Sequence, residues 1–172
     1  GGAFKAAKGL SSKFPHQVIS TPISEAGLVA FANGLALAGN RAIAEIMFGD
    51  FSALCFDQIL NVAAKTVSMY GKRRRHNLIV RIPVGGHRGY GATHSQSLQK
   101  HFIGIPDLEL YEMSPFHDSQ KVFEAMWASE KPCLHFESKV LYTQDFIGAP
   151  ALSGRFRVDM LEGDVARASL PD

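Results

Sequence analysis

The 172-residue sequence predicts an α/β protein built in three layers, α/β/α, around a mainly parallel sheet. Three observations predict it. From residue 17 onward, short β-branched or apolar runs alternate with longer stretches of helical period, the order that gives a parallel sheet covered on both faces. Each helical stretch is long enough to serve as a crossover between neighbouring strands. With 46% hydrophobic and 20% charged residues, the chain can bury a real core in one domain, while two compact domains would be a squeeze.

The strand candidates, in order, are Gln17–Ser20, Arg41–Ile46, Asn77–Pro83, Leu108–Glu112 and Pro132–Glu137. Between the first two, Leu28, Phe31, Ala32 and Leu35 recur at i, i+3, i+4 and i+7, which predicts a helix from Ser24 to about Ala38 with one apolar face. Gly39-Asn40 ends it. A second helix is expected from Ser52 to about Met69, with Phe56, Ile59, Leu60, Ala63 and Val67 on its stripe. A third runs from a capping Asp118 to Ser129 and carries Phe123, Met126 and Trp127. The Gly-rich segment Val84–His94 leads into a short helical piece, Ser95 to about Phe102, and such loops usually lie near a ligand or another chain. Residues 1–145 read as the folded domain, and residues 146–172, rich in Ala, Gly, Pro and Ser, as a linker or extended tail.

Charge and cysteine usage exclude several function classes. Eighteen Lys and Arg against sixteen Asp and Glu give a formal charge of +2, too balanced for a protein that lives on phosphate backbones or anionic lipid. Neither nucleic acid nor membrane is expected as a partner. Cys55 and Cys133 lie far apart and lack CxxC spacing, which argues against a disulfide framework and against zinc, and favours a reducing compartment. His94 and His101 stand seven residues apart, about 10 Å along a helix, too far to share a metal ion, so no metal site is expected. The Lys72–His76 run follows a helix end and reads as a solvated turn that offsets the dipole. No apolar run approaches the roughly 20 residues of a spanning helix, and Gly1–Lys5 reads as neither signal nor transit peptide, so a secreted protein is not expected.

In a parallel open sheet the ligand site lies beyond the carboxyl ends of the strands. The turns leaving the first three expected strands are Thr21–Glu25, Met47–Phe51 and Val84–His94, which should share one sheet edge. Read alone, Glu25 is a first-turn acid that complements the helix dipole, Met47 and Phe51 are ordinary core, and His94 is a loop histidine satisfied by backbone groups. Read together, they place a carboxylate, a thioether, an aromatic ring and an imidazole at one rim.

These residues, with their neighbours, resemble a known family. Thr21–Glu25, Ala44–Phe51, Phe56–Lys65 and His94–Ser97, together with Gly1–Phe4 and Lys8–Leu10, occur in the order and spacing of the β subunit of thiamine-diphosphate-dependent 2-oxo acid dehydrogenases, within its pyrimidine-binding domain. The likeness runs from residue 1 to about Tyr142. It implies a thiamine-diphosphate-binding fold of the pyrimidine type, with thiamine diphosphate as cofactor. It also implies that Glu25 exchanges a proton with the aminopyrimidine ring, that Met47 and Phe51 pack on that ring, and that His94 assists acyl transfer to a lipoyl arm. Two influences on Glu25 oppose each other, the helix N-terminus favouring the anion and enclosure against an apolar ring favouring the acid.

The family's Gly-Asp-Gly block, which holds Mg2+ and the diphosphate, does not occur in this sequence. The resemblance therefore implies a partner α subunit that supplies it, a second β subunit, and the lipoyl domain of an acyltransferase component. It further implies residence in a bacterial cytoplasm or the mitochondrial matrix. Family members carry a helix and strand upstream of the Gly-Gly opening and a second α/β domain downstream, so the chain reads as a fragment or shortened form, inactive alone. The rival readings are a transketolase-like or deoxyxylulose-phosphate-synthase-like pyrimidine domain, a non-catalytic interaction module that kept the fold, and an unrelated flavodoxin-like domain.

Overall fold

A computed structural model describes residues 2–71, 75–144, 157–160 and 166–169, and the side chains of residues 67, 157–160 and 166–168 lie outside that description. Four of the five expected strands form, each bound within one residue of expectation: β1 (Ala42–Glu45), β2 (Leu78–Val84), β3 (Glu109–Glu112) and β4 (Cys133–Ser138). They make one parallel sheet in the order β1-β2-β4-β3, with Ala44 opposite Val80, Val80 opposite Leu134 and Leu110 opposite Leu134. The fifth, Gln17–Ser20, is not a strand. The amides of Gln17 and Val18 both donate to the Phe14 carbonyl just after the short helix α1 (Leu10–Lys13), so the backbone turns, and Ile19 faces water. An apolar pair with no strand beside it has no ladder to join.

Helix α2 (Glu25–Leu37) starts where expected, with Ser24 Oγ accepting from the Gly27 amide at 3.3 Å, and ends at Gly39-Asn40 through Asn40 N to Leu35 O at 3.0 Å. Its buried stripe is Val29, Ala32, Asn33 and Ala36, turned by about one residue from the expected face, and Phe31 is 52% exposed. Small side chains at Ala32 and Ala36 let the helix lie close on the sheet, which a phenylalanine there would prevent.

The helix expected over Ser52–Met69 is broken. A 3-10 run (Gly49–Cys55), a π-helical turn (Gln58–Ala63) and α3 (Thr66–Tyr70) replace it. The cause is tertiary: Asn33 Nδ2, buried in α2, donates to Gln58 O at 3.0 Å and draws that carbonyl away from its own ladder, while Ala64 N bonds to Ile59 O, five residues back. Ile59 and Ala63 are buried as expected. The Asn33 carbonyl in turn contacts His76 Nε2 at 2.9 Å. His76 is therefore 3% exposed rather than part of a solvated turn, whereas Arg75 is exposed and pairs with Glu130 at 2.8 Å. Lys72, Arg73 and Arg74 lie outside the described residues.

Even-numbered strand residues, among them Ala42, Ala44, Leu78, Val80, Leu134 and Phe136, face α2 and the 49–63 segment and hold most of the core. Odd-numbered ones face the other way, where Ile79 and Cys133 meet Met126, Phe123 and Trp127 of α4 (Ser119–Ala128), capped by Asp118 as expected. Helices thus cover both faces. Toward the strand ends the second face turns polar. Arg81 donates from Nε and Nη2 to both Glu137 oxygens at 2.7 Å, and from Nη1 to Glu45 at 3.1 Å. The Tyr142 hydroxyl also donates to Glu137, and His135 Nδ1 lies 2.9 Å from Glu137 Oε1.

The helical piece expected over Ser95–Phe102 is instead two 3-10 turns, Ala92–His94 and Gln99–His101. Between them Gln96 spends its backbone and side chain on tertiary bonds, accepting from the Gly85 amide and donating to Asp50. Within the 146–172 segment, β5 (Arg157–Met160) and β6 (Ala166–Ser169) pair antiparallel, and the rest of it lies outside the described residues.

Candidate active site

The chain leaves β1 toward the carboxyl edge and turns at once across the end of β2. Gly49 makes this possible: a Cβ there would lie 2.6 Å from Val84 Cγ1 and 2.9 Å from Pro83 O. Pro83 is tolerated because Arg81 O accepts from Ile46 N on the β1 side, so the missing N–H two residues later falls beyond the last paired residue of β1. In the turn Met47 is exposed, Phe48 buried and Phe51 half-buried.

The loop leaving β2 returns to this turn. Gln96 Nε2 donates to Asp50 Oδ1 at 2.7 Å, and the His94 ring packs edge-on against Phe48 (4.7 Å between centroids) and Phe51 (5.1 Å). Thr93 Oγ1 contacts His94 Nδ1 at 2.9 Å, which leaves Nε2 as the nitrogen turned to other tasks. Two expected site residues, Phe51 and His94, are thus in direct contact.

Glu25 arrives from a helix rather than from a strand end, since Gln17–Ser20 forms no strand. Half-buried in the first turn of α2, it begins the element that packs on the 49–55 run. Burial pushes the Cys55 thiol up to about 12, and the nearby Glu25 charge adds to the rise, so the carboxylate is within electrostatic reach of that run. These segments carry open apolar side chains: Ile23, two residues before Glu25, is 86% exposed, and Leu54 and Met47 are exposed as well.

Several residues that sequence reasoning gave no role complete the rim. Phe4 packs on Phe48, Tyr90 and Tyr142 with centroids 5.4, 5.8 and 5.5 Å away, strapping the N-terminal segment over the sheet end. Gly2 closes the strap where a Cβ would stand 1.9 Å from Glu45 Oε1. Lys139, one residue past β4, is fully buried and reaches the His94 carbonyl. Only the adjacency of β4 to β2 puts it there, and nothing local in the sequence signals it. Asp50 Oδ2 and Ser52 Oγ are buried without a hydrogen-bond partner among the described residues. No three His, Cys, Asp or Glu stand together as a metal site among those residues.

Residues 1–144 match the family described as transketolase, pyrimidine binding domain. The chain belongs to this family. As a pyrimidine-binding domain it is 35% identical to the mitochondrial pyruvate dehydrogenase E1 component subunit beta of Caenorhabditis elegans, over 97% of this chain and 48% of that protein. It is 38% identical to the acetoin:2,6-dichlorophenolindophenol oxidoreductase subunit beta of Bacillus subtilis, over 83% of this chain and 42% of the relative. A 2-oxoisovalerate dehydrogenase subunit beta of Arabidopsis thaliana matches at 34% over 97% of the chain and 47% of its own length. The chain thus spans about half the length of these relatives. A solved split-gene transketolase, an inactive beta4 tetramer, shares the fold at TM-score 0.57 and 17% identity, over 78% of this chain and 42% of that one. No helix among the described residues is long and apolar enough to cross a membrane.

Proposed function

We propose that this chain forms the aminopyrimidine-binding half of a thiamine diphosphate site, in the β subunit of the decarboxylating component of a 2-oxo acid dehydrogenase. Family membership and the names of the relatives support the reading. One structural observation carries it: at the carboxyl edge of a parallel sheet, the turn holding Met47 and Phe51 meets the loop holding His94 ring to ring, beside the helix that Glu25 begins. The donor set fits the cofactor's ring half. A carboxylate suits a ring nitrogen that gains and loses a proton, and an aromatic face with a thioether suits a flat heterocycle.

Thiamine diphosphate, when bound, supplies the nucleophilic carbon on which a 2-oxo acid loses carbon dioxide. Glu25 holds the proton shared with the aminopyrimidine nitrogen. Phe51 and Met47 orient the ring and exclude water from its faces. His94, fixed by Phe48, Phe51 and Thr93, exchanges a proton at Nε2 where the acyl group passes to lipoamide. A partner α subunit holds the diphosphate and Mg2+, a second β subunit completes a heterotetramer, and the lipoyl domain of the acyltransferase component receives the product. The compartment is the bacterial cytoplasm or the mitochondrial matrix.

The test is Glu25→Gln in the complex reconstituted with the α subunit. Assembly stays intact and turnover is abolished; turnover at the wild-type rate overturns the assignment. Thiamine diphosphate titration with and without the α subunit separates this reading from a module that kept only the fold, which gives no cofactor-dependent response in either case.

A further inference from the structure

Lys139 is the side chain for which neither the fold nor the proposed chemistry has accounted. It sits one residue beyond β4, and its amide extends the sheet ladder by donating to Val84 O at 3.0 Å. Its side chain is wholly shielded from water, at 0% exposure. A cation in that position carries a desolvation cost that a methionine or leucine of similar volume would not, so its burial calls for partners that only a cation serves. Those partners come from the site. The ammonium donates to the backbone carbonyl of His94 and lies 5.2 Å from the Phe48 ring centroid and 5.7 Å from that of Tyr90. Burial lowers its pKa, and the Asp50 carboxylate opposes the fall.

The three partners belong to two separate segments. His94 ends the Gly-rich loop, Tyr90 lies within that loop, and Phe48 belongs to the turn that carries Met47 and Phe51. We propose that Lys139 is a positioning residue: from the end of β4 its buried ammonium clamps the His94 loop onto the Phe48 turn and so sets where the imidazole stands. The inference rests on the proposed function for what His94 does, but not for how it is held. The loop needs such a clamp, because four of its seven residues from Gly85 to Gly91 adopt left-handed φ values (Gly85, His87, Gly89 and Gly91), and a backbone of that kind has little stiffness of its own.

The test compares wild type with Lys139→Met in the chain reconstituted with its α subunit. Amide hydrogen exchange over residues 85–96 speeds up about tenfold in the variant while β1 and α4 keep their protection. The His94 ring resonances move, and kcat for acyl transfer falls about ten- to a hundredfold with the KM for thiamine diphosphate unchanged. If Lys139 merely filled the core, its replacement would speed exchange nowhere in particular and leave the His94 ring signals in place; that result overturns the clamp. Should the variant fail to fold, the wild-type protein still decides the matter: a through-bond NMR coupling between Lys139 Nζ and the His94 carbonyl carbon supports the clamp, and a freely exchanging ammonium refutes it. His94→Ala separates the two proposals. Full acyl transfer in that variant removes the assigned role of His94 whether or not Lys139→Met loosens the loop.

Discussion

Replacing Glu137 with glutamine isolates the charge at the centre of the polar end of the sheet. Burial alone would raise the Glu137 pKa, but the close approach of His135, the hydrogen bonds and charge of Arg81, and the Tyr142 hydroxyl outweigh it and pull the carboxyl from 4.5 down to about 2. A depressed folded-state value means stability that is fully present above the unfolded value of 4.5 and lost as pH falls through the folded one. At about 1.4 kcal/mol per pH unit, the gap is worth about 3 kcal/mol at neutral pH, of which about 2 kcal/mol is gone by a pH of about 3. Glu137→Gln should therefore destabilise the chain by about 3–5 kcal/mol at neutral pH, because Arg81 stays buried with only Glu45 left to face it. Urea unfolding of both proteins at several pH values between about 7 and 3 reads the effect. The stability difference between them should shrink as the solution is acidified. Two unfolding profiles that run parallel across that range refute the reasoning.

Two further substitutions test how the site's turn and helix are placed. Gly49→Ala forces a methyl group against Val84 and the Pro83 carbonyl and should cost about 1–3 kcal/mol, read from the urea midpoint; an unchanged midpoint means the turn has room to shift. Ser24→Ala removes the cap of α2 and should cost about 1 kcal/mol in thermal unfolding, and a loss no larger than that of an exposed Ser→Ala change elsewhere sinks the capping argument.

What was legible in the sequence is what local pattern controls. Strands β1 to β4 could be read because their apolar runs are buried on two faces, and the same rule misread Gln17–Ser20, which has a similar run and no neighbour to pair with. The break in the 52–69 helix was invisible for the opposite reason: its apolar residues keep helical spacing, and the side chain that opens the ladder, Asn33, lies 25 residues away from the carbonyl it takes. His76 misled in the same way, since the basic run points to water while the ring is sequestered by Asn33. At the site, the rule that ligands bind beyond the carboxyl ends of parallel strands found the meeting of Phe51 with His94. It expected Glu25 at that rim through Gln17–Ser20, which forms no strand, and Glu25 instead begins α2. Lys139, Phe4 and Tyr90 were out of reach, because each depends on which strand lies beside which.

The bonds around the rim also divide the labour of building a site between folding and assembly. Asp50 with Gln96, Lys139 with His94, and Phe4 with Phe48 and Tyr90 are all made within this chain, so the relative placement of Phe51 and His94 is fixed as the chain folds. The ordering entropy of those side chains is then spent before any ligand arrives, which is what allows a site to favour the transition state rather than reorganise around it. Ile23, Met47 and Leu54, among the apolar residues left in water, are on the other side of that division. They contribute hydrophobic free energy only when something covers them, at about 25 cal/mol for each Å² removed from water. In the proposed enzyme the cover is the aminopyrimidine ring together with the α subunit, so ring binding and subunit docking draw on the same exposed surface and should strengthen each other. An isolated chain, with its geometry set and its cover missing, should then bind the cofactor weakly.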